Sequence, residues 1–225
     1  MIKVKTIQSG SGGNAYLVSD PQTTLLLEAG TSYKNIIKNK DGKIDAVLVS
    51  HKHDDHSKSL PELALRRTPI YTHKEVASYK NITKYTEIEP LKSYEIKTFV
   101  VKPFELVHDV YNLGFLIYSK ITKEKLLFII DTMYVENKFK GIDYLMIECN
   151  HSVDKLMPNT KYPAFVKSRI RQAHMNLEDV EHFLDSNNLE SLKKIYLIHR
   201  SKENSDDKVI EDTIKKKTKA EVILC

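Results

Sequence analysis

The feature that most constrains this chain is the six-residue run His51–His56, which contains three histidines and two aspartates. It directly follows Ala46–Ser50, whose aliphatic residues predict a β-strand. In a loop that leaves a strand, the first two histidines can point the same way, while the last aspartate and histidine turn toward a second point. Imidazole nitrogens and carboxylate oxygens suit Zn²⁺, Mn²⁺ or iron, and two ligand sets from one loop can build a compact two-metal site. The alternative is a polar loop with chance histidines.

The composition is that of a globular protein. A chain of 225 residues fits one compact domain, 1–225, and a hydrophobic content of 41% excludes a disordered chain. Apolar runs such as Leu126–Ile130 are too short to cross a bilayer, and Met1–Thr6 alternates like a strand rather than a signal peptide. We therefore expect a cytoplasmic protein with no membrane partner. Two cysteines, Cys149 and Cys225, exclude a disulfide framework and a cysteine-based zinc site.

Strand-like and helix-like segments are interspersed along the chain. The pattern predicts strands over Ile2–Ile7, Ala15–Ser19, Thr24–Glu28, Ala46–Ser50, Pro69–Thr72, Lys97–Lys102, Asn112–Tyr118, Lys125–Ile130, Tyr144–Glu148, Ile195–Ile198 and Glu221–Leu224. It predicts helices over Ser32–Asn39, Pro61–Arg67, His73–Tyr79, Asn176–Leu184 and Asp206–Lys215. Strands with helices between them indicate mixed sheets covered by helices, an α/β (α+β) class.

Three single residues later in the chain each follow a strand-like segment, namely His108, Asp131 and His199. One histidine in such a place is usually an ordinary loop residue. Together with His51–His56, however, this order resembles the metallo-β-lactamase superfamily over nearly the whole chain, and the six-residue run matches its signature motif. The resemblance implies a four-layer αββα sandwich of two mixed β-sheets flanked by helices.

The resemblance also implies a set of ligands for two divalent metal ions, Zn²⁺ or Mn²⁺. It assigns one ion to His51, His53 and His108, the other to Asp55, His56 and His199, and a bridging position to Asp131. Two such ions lower the pKa of a water molecule toward neutrality and supply a hydroxide nucleophile. Asp55 and Asp131 are therefore expected to act in catalysis, and no serine or cysteine nucleophile is required.

Four further segments resemble the WalJ/YycJ-like group of this superfamily. These are Gly10–Asn14, Glu148–His151, the stretch 162–175 and His199–Asn204. Members of that group are regarded as phosphodiesterases of the single-stranded DNA exonuclease type. Glu28 departs from the group, which has aspartate there, so a longer side chain must repack near the ligands.

The predicted substrate contacts lie near the helix Asn176–Leu184. A phosphate oxygen could sit at the N-terminus of that helix, assisted by Arg169 and Arg171. His174, just before the helix, could contact the phosphate or protonate the leaving group; the alternative is a histidine that only packs. Asn150 follows a predicted strand and is expected to lie at the entrance of the same substrate site.

These observations predict a metal-dependent phosphodiesterase that acts on nucleic acid, with single-stranded DNA as the first substrate. A net charge of +5 permits an anionic partner without requiring one. The alternative within the same chemistry is a phosphodiesterase for cyclic or other small signalling nucleotides, and a glyoxalase II-like thioesterase shares the metal motif. A non-catalytic binding module would be expected to have lost ligands, whereas all seven positions are filled. The sequence leaves the oligomeric state open, with a homodimer as one option.

Overall fold

The computed structural model describes residues 1–225 and contains thirteen strands and eight helices. The strands are β1 (Lys3–Gln8), β2 (Ala15–Ser19), β3 (Thr24–Leu27), β4 (Ala46–Leu48), β5 (Ile70–Thr72), β6 (Thr86–Glu87), β7 (Tyr94–Ile96), β8 (Phe99–Leu106), β9 (Asn112–Ser119), β10 (Lys125–Ile129), β11 (Tyr144–Glu148), β12 (Lys194–Ile198) and β13 (Glu221–Leu224). The helices are α1 (Tyr33–Asn39), α2 (Asp54–Ser57), α3 (Leu60–Leu65), α4 (Lys74–Tyr79), α5 (Val153–Leu156), α6 (Ala164–Ala173), α7 (Leu177–Ser186) and α8 (Asp207–Lys217).

The strands form two mixed sheets flanked by helices. The first sheet has the order β1-β2-β3-β4-β5-β6, with antiparallel pairing from β1 to β3 and parallel pairing from β3 to β6. The second has the order β13-β12-β11-β10-β9-β8-β7, and its four strands from β10 to β13 are parallel. Neighbours in both sheets are consecutive in the chain. This architecture confirms the predicted α/β class.

The chain divides into two compact units. Unit 1 consists of Met1–Phe104 and Phe115–Glu124, and unit 2 of Glu105–Gly114 and Lys125–Cys225. The single-domain assignment of 1–225 stays a prediction. In unit 1 the core contains residues from several elements, and Leu26 on β3 is fully buried within it.

Unit 2 has a core of parallel strands. All five residues of β11 and four of five in both β10 and β12 are buried, and strands that are buried on both faces have nearly continuous apolar sequences. Helix α7 adds Leu177, Val180 and Phe183. It begins with a capping box, in which Asn176 Oδ1 accepts from the N–H of Asp179 and Asp179 Oδ2 accepts from the N–H of Asn176. This capping box fixes the N-terminus of α7.

Five elements were absent from the sequence prediction, namely β6, β7, α2, α5 and α6. Helix α6 buries only Ala173, so no apolar stripe marks it. Strand β7 pairs with β8 through a turn at Lys97, whose φ of 54° lies in the left-handed region. The predicted strand Lys97–Lys102 therefore begins two residues later, at Phe99. None of the helices combines the length and the apolar character needed to span a bilayer.

Candidate metal centre

In unit 1, the histidine run is divided by the start of a helix. Strand β4 ends at Leu48, and α2 begins at Asp54, so His51 and His53 precede the helix while Asp55 and His56 lie on it. The acidic residues stand in the first turn, where the helix dipole stabilises negative charge. The run thus presents its donors in two groups, as the sequence predicted.

The donor atoms within each group are close enough to share one ion. His51 Nε2 and His53 Nδ1 are 3.1 Å apart, and His56 Nε2 lies 3.3 Å from Asp55 Oδ2. Two ligand atoms at about 2.0–2.1 Å from a tetrahedral Zn²⁺ stand roughly 3.3 Å from each other. The spacing and chemistry of these donors therefore fit a divalent metal ion.

Neighbouring polar groups orient the rings of this run. Ser50 Oγ lies 2.9 Å from His51 Nδ1, and Asn14 Nδ2 lies 3.1 Å from His56 Nε2. The Glu28 carboxylate is fully buried, lies 3.5 Å from His56 Nδ1 and accepts a hydrogen bond from the N–H of Ser50. Burial raises the pKa of Glu28, and the His56 ring opposes this rise in part. Glu28, which stands where the WalJ/YycJ-like group has aspartate, is thus long enough to contact the predicted ligand His56.

Gly30 lets three backbone segments of unit 1 meet beside the run. A Cβ atom on this glycine would stand 1.6 Å from the carbonyl oxygen of Asp55 and 2.7 Å from the nitrogen of His56. The N–H of Asn14 donates to that same Asp55 oxygen at 2.7 Å, and the N–H of Gly30 donates to Asn14 at 2.8 Å. A side chain at position 30 would displace the backbone that carries two predicted ligands.

In unit 2, Asp131 faces two histidines with its two carboxylate oxygens. Oδ1 lies 2.8 Å from His199 Nδ1, and Oδ2 lies 4.0 Å from His108 Nε2. His108 Nδ1 is 3.0 Å from the carbonyl oxygen of Ala173, which can only accept, so Nδ1 carries the proton and Nε2 keeps a lone pair. Burial lowers the pKa of His108, which favours the neutral ring that metal ligation requires.

Two of these residues adopt a backbone conformation that is rare outside glycine. Asp131 has a φ of 49° and His199 a φ of 51°, and each follows a parallel strand of the second sheet. Such a conformation costs about 1–3 kcal/mol and concentrates at functional sites. The side-chain amides of Asn112 and Asn150 donate to the carbonyl oxygens of Asp131 and His199, respectively, and hold both turns. The contact of Asn150 with substrate stays a prediction.

A buried glutamate connects the unit 2 histidines. Glu148 Oε2 lies 3.0 Å from His174 Nδ1 and 3.4 Å from His199 Nδ1. Burial acts to raise the pKa of Glu148, but the His174 and His199 rings together outweigh burial and lower it. Burial likewise acts to lower the pKa of His174, and Glu148 reverses this effect. Ligand atoms of Asp131, Glu148, His174 and His199 all lie within 4.8 Å of one another, a donor set that also fits a metal ion.

The phosphate position predicted at the start of α7 stays a prediction, and an acidic side chain lies beside it. The Asp179 carboxylate of the capping box already fills that helix terminus, and a second anion there would be repelled. Arg169 is exposed, and its Nη2 lies 3.8 Å from Asp109 Oδ2, whereas Arg171 lines a cleft beside α6. Their contacts with substrate stay predictions.

This fold and these donors match those of known proteins. Residues 17–199 match the family model described as the beta-lactamase superfamily domain, so the chain belongs to this superfamily. It is a hydrolase of the metallo-β-lactamase fold, whose donors suit a divalent metal ion. The predicted resemblance is confirmed.

The particular relatives agree with the predicted subgroup. The exodeoxyribonuclease WalJ of Streptococcus pneumoniae serotype 2 (strain D39 / NCTC 7466) is 29% identical over 231 residues, which cover 90% of this chain and 83% of WalJ. The exodeoxyribonuclease YycJ of Bacillus anthracis is 28% identical over 224 residues, covering 88% of this chain and 82% of YycJ. The crystal structure of YhfI, a metallo-β-lactamase fold protein from Bacillus subtilis, superposes with a TM-score of 0.80 at 18% identity, over 100% of this chain and 97% of YhfI.

Proposed function

We propose that this protein is a phosphodiesterase that uses two divalent metal ions to hydrolyse single-stranded DNA. One observation carries the proposal: the carboxylate of Asp131 offers one oxygen to His199 and the other toward His108, as a bridging ligand would. The seven predicted ligands, His51, His53, Asp55, His56, His108, Asp131 and His199, supply imidazole and carboxylate donors of the kind that Zn²⁺ and Mn²⁺ accept. The named activity of WalJ and YycJ supports nucleic acid as the substrate class.

The bound ions would lower the pKa of the attacking water and neutralise charge on the phosphate. The remaining step is protonation of the leaving oxygen, and His174 supplies the proton. Its Nδ1 donates to the buried Glu148 carboxylate, which favours the protonated ring and leaves Nε2–H as an acid. As the bond from phosphorus to the leaving oxygen breaks, that oxygen takes the proton from Nε2, and His174 regains a proton from solvent. The side chain of His174 is one-fifth exposed, so solvent can reach it.

The substrate is tested with a panel of phosphodiesters. The protein, loaded with Mn²⁺ or Zn²⁺, is offered single-stranded DNA, RNA, cyclic mononucleotides and a thioester. We expect shortening of single-stranded DNA, seen as released nucleotides. Hydrolysis confined to cyclic mononucleotides would replace the nuclease proposal with the small-nucleotide alternative, and hydrolysis confined to the thioester would refute phosphodiester chemistry.

The metal ligands are tested with Asp131→Ala, and Asp154→Ala, an exposed aspartate on α5, is the matched control. We expect the wild type and the control to hold two metal ions per chain by elemental analysis. Asp131→Ala should lose metal and nearly all turnover, because its carboxylate is the proposed bridge. Full phosphodiesterase activity in Asp131→Ala would contradict the two-metal proposal. Light scattering on the same samples decides between monomer and homodimer.

A further inference from the structure

Unit 2 contains an open cleft of about 630 Å³ that the proposed chemistry does not use. Its walls come from the segment after Asp131, from Met157, from one face of α6 and from the start of α7. This volume is within the range of about 300–1,000 Å³ that is typical of ligand sites. Two walls of the cleft are adjacent in sequence to residues of the proposed catalytic site. Met133 and Tyr134 closely follow Asp131, and His174 directly follows α6.

The cleft exposes apolar and aromatic side chains that would normally be buried. The exposed fractions are 39% for Met133, 42% for Tyr134 and 48% for Met157. The segment that carries Tyr134 is fixed: the N–H of Met133 donates to Val107, and Thr132 Oγ1 donates to the carbonyl oxygen of Tyr134. A rigid, exposed group of this kind indicates a surface that binds a partner.

The charge of the cleft favours an anionic partner. Helix α6 carries three basic residues and no acidic one. Lys167 and Arg171, at positions i and i+4, lie on the same face of the helix and line the cleft, and Lys167 Nζ donates to the carbonyl oxygen of Met157. Asp179 is the one acidic residue in the lining, and it is held by the capping box.

We infer that this cleft binds a single-stranded nucleic acid, with a base stacked on Tyr134 and backbone phosphates on Lys167 and Arg171. The inference rests on the proposed function and specifies how its substrate is held. Basic side chains interleaved with exposed aromatic rings are the combination that binds single strands, because rings stack on unpaired bases while cations follow the backbone. A duplex would hide the base faces that Tyr134 needs. The cleft thus selects unpaired strands.

Binding is measured by fluorescence anisotropy on the metal-loaded protein with a labelled phosphorothioate oligothymidylate, which resists cleavage. Tyr134→Ala should weaken binding about 5- to 150-fold, the loss expected for one stacked base, and Tyr134→Phe should bind like the wild type. Lys167→Gln and Arg171→Gln should each make the slope of log affinity against log salt less steep by about 0.7. Lys208→Gln, at an exposed position on α8, is the control and should change neither quantity.

The outcomes separate this inference from the proposed function. Wild-type affinity in Tyr134→Ala, or an equal loss in Lys208→Gln, would overturn the cleft assignment even if the protein hydrolyses DNA. A wild type that binds the oligonucleotide but hydrolyses no phosphodiester would contradict the proposed function and leave the cleft assignment standing. A change of oligomeric state in Tyr134→Ala at unchanged DNA affinity would assign the cleft to a protein partner instead.

Discussion

Replacing Gly30 by alanine should displace predicted metal ligands without touching their side chains. The new Cβ would stand 1.6 Å from the Asp55 carbonyl oxygen, so this backbone must move by about 1.4 Å to restore even a 3.0 Å contact. Overpacking of this kind costs about 1–3 kcal/mol. Two hydrogen bonds, from Asn14 to Asp55 and from Ala29 to His56, are strained as well, at about 0.5–1.5 kcal/mol each. We expect a total loss of about 2–6 kcal/mol in the free energy of unfolding.

The loss is measured by calorimetry and by metal titration. For a chain of this size, about 2–4 °C of Tm corresponds to each kcal/mol, so Tm should fall by at least about 4 °C. Zn²⁺ affinity should fall about 10–100-fold, as when groups that orient metal ligands are altered. Gly12→Ala is the matched control, because its Cβ would meet only Gln8 Nε2 at an ordinary 3.5 Å. Wild-type Tm and Zn²⁺ affinity in Gly30→Ala would refute the reasoning.

Three further predictions concern buried charges and the metal. His151 is fully buried, neither ring nitrogen has a hydrogen-bond partner, and burial lowers its pKa to about 4. Because the unfolded chain takes up this proton near pH 6.5, the folded state should lose up to about 3 kcal/mol between pH 6.5 and 4, and His151→Leu should flatten that loss in urea titrations. Glu148→Gln should lower kcat about 10–100-fold, while the exposed Glu178→Gln should not; equal rates would exclude Glu148 as the group that positions His174. Chelation should lower Tm by roughly 5–11 °C relative to metal at 100 times its Kd, and an unchanged Tm would contradict metal binding by the folded state.

Strand positions were predictable because their physical signal is local. Segments such as Tyr144–Glu148 are continuously apolar, and the structure buries every residue of that strand. Helix α6 has no such signal, since solvent faces most of its residues and Pro163 precedes it without a side-chain cap. Its position depends on tertiary contacts that the local sequence does not encode.

The ligand residues were predictable from their motif, but their geometry was not. The sequence alone does not show that Asp131 and His199 adopt left-handed backbone conformations, because aspartate and histidine, although enriched there, occur in that region only in a minority of cases. The sequence identified Glu148 as part of a segment that resembles the WalJ/YycJ-like group, and the structure shows that it contacts both His174 and His199. The cleft beside α6 was not predicted, because Tyr134 lies in a segment without periodicity.

The consecutive order of strands in both sheets has a kinetic consequence. Each strand pairs with the next one along the chain, and the pairings of the first sheet close loops of at most 21 residues, which keeps their entropic cost small. All six strands of the first sheet have been synthesised once residue 87 is added, and at least 138 further residues follow it. At about 5–20 residues per second, this leaves roughly 7–28 s in which the first sheet can assemble on the ribosome. The two-residue edge strand β6 offers little template for intermolecular pairing during that interval.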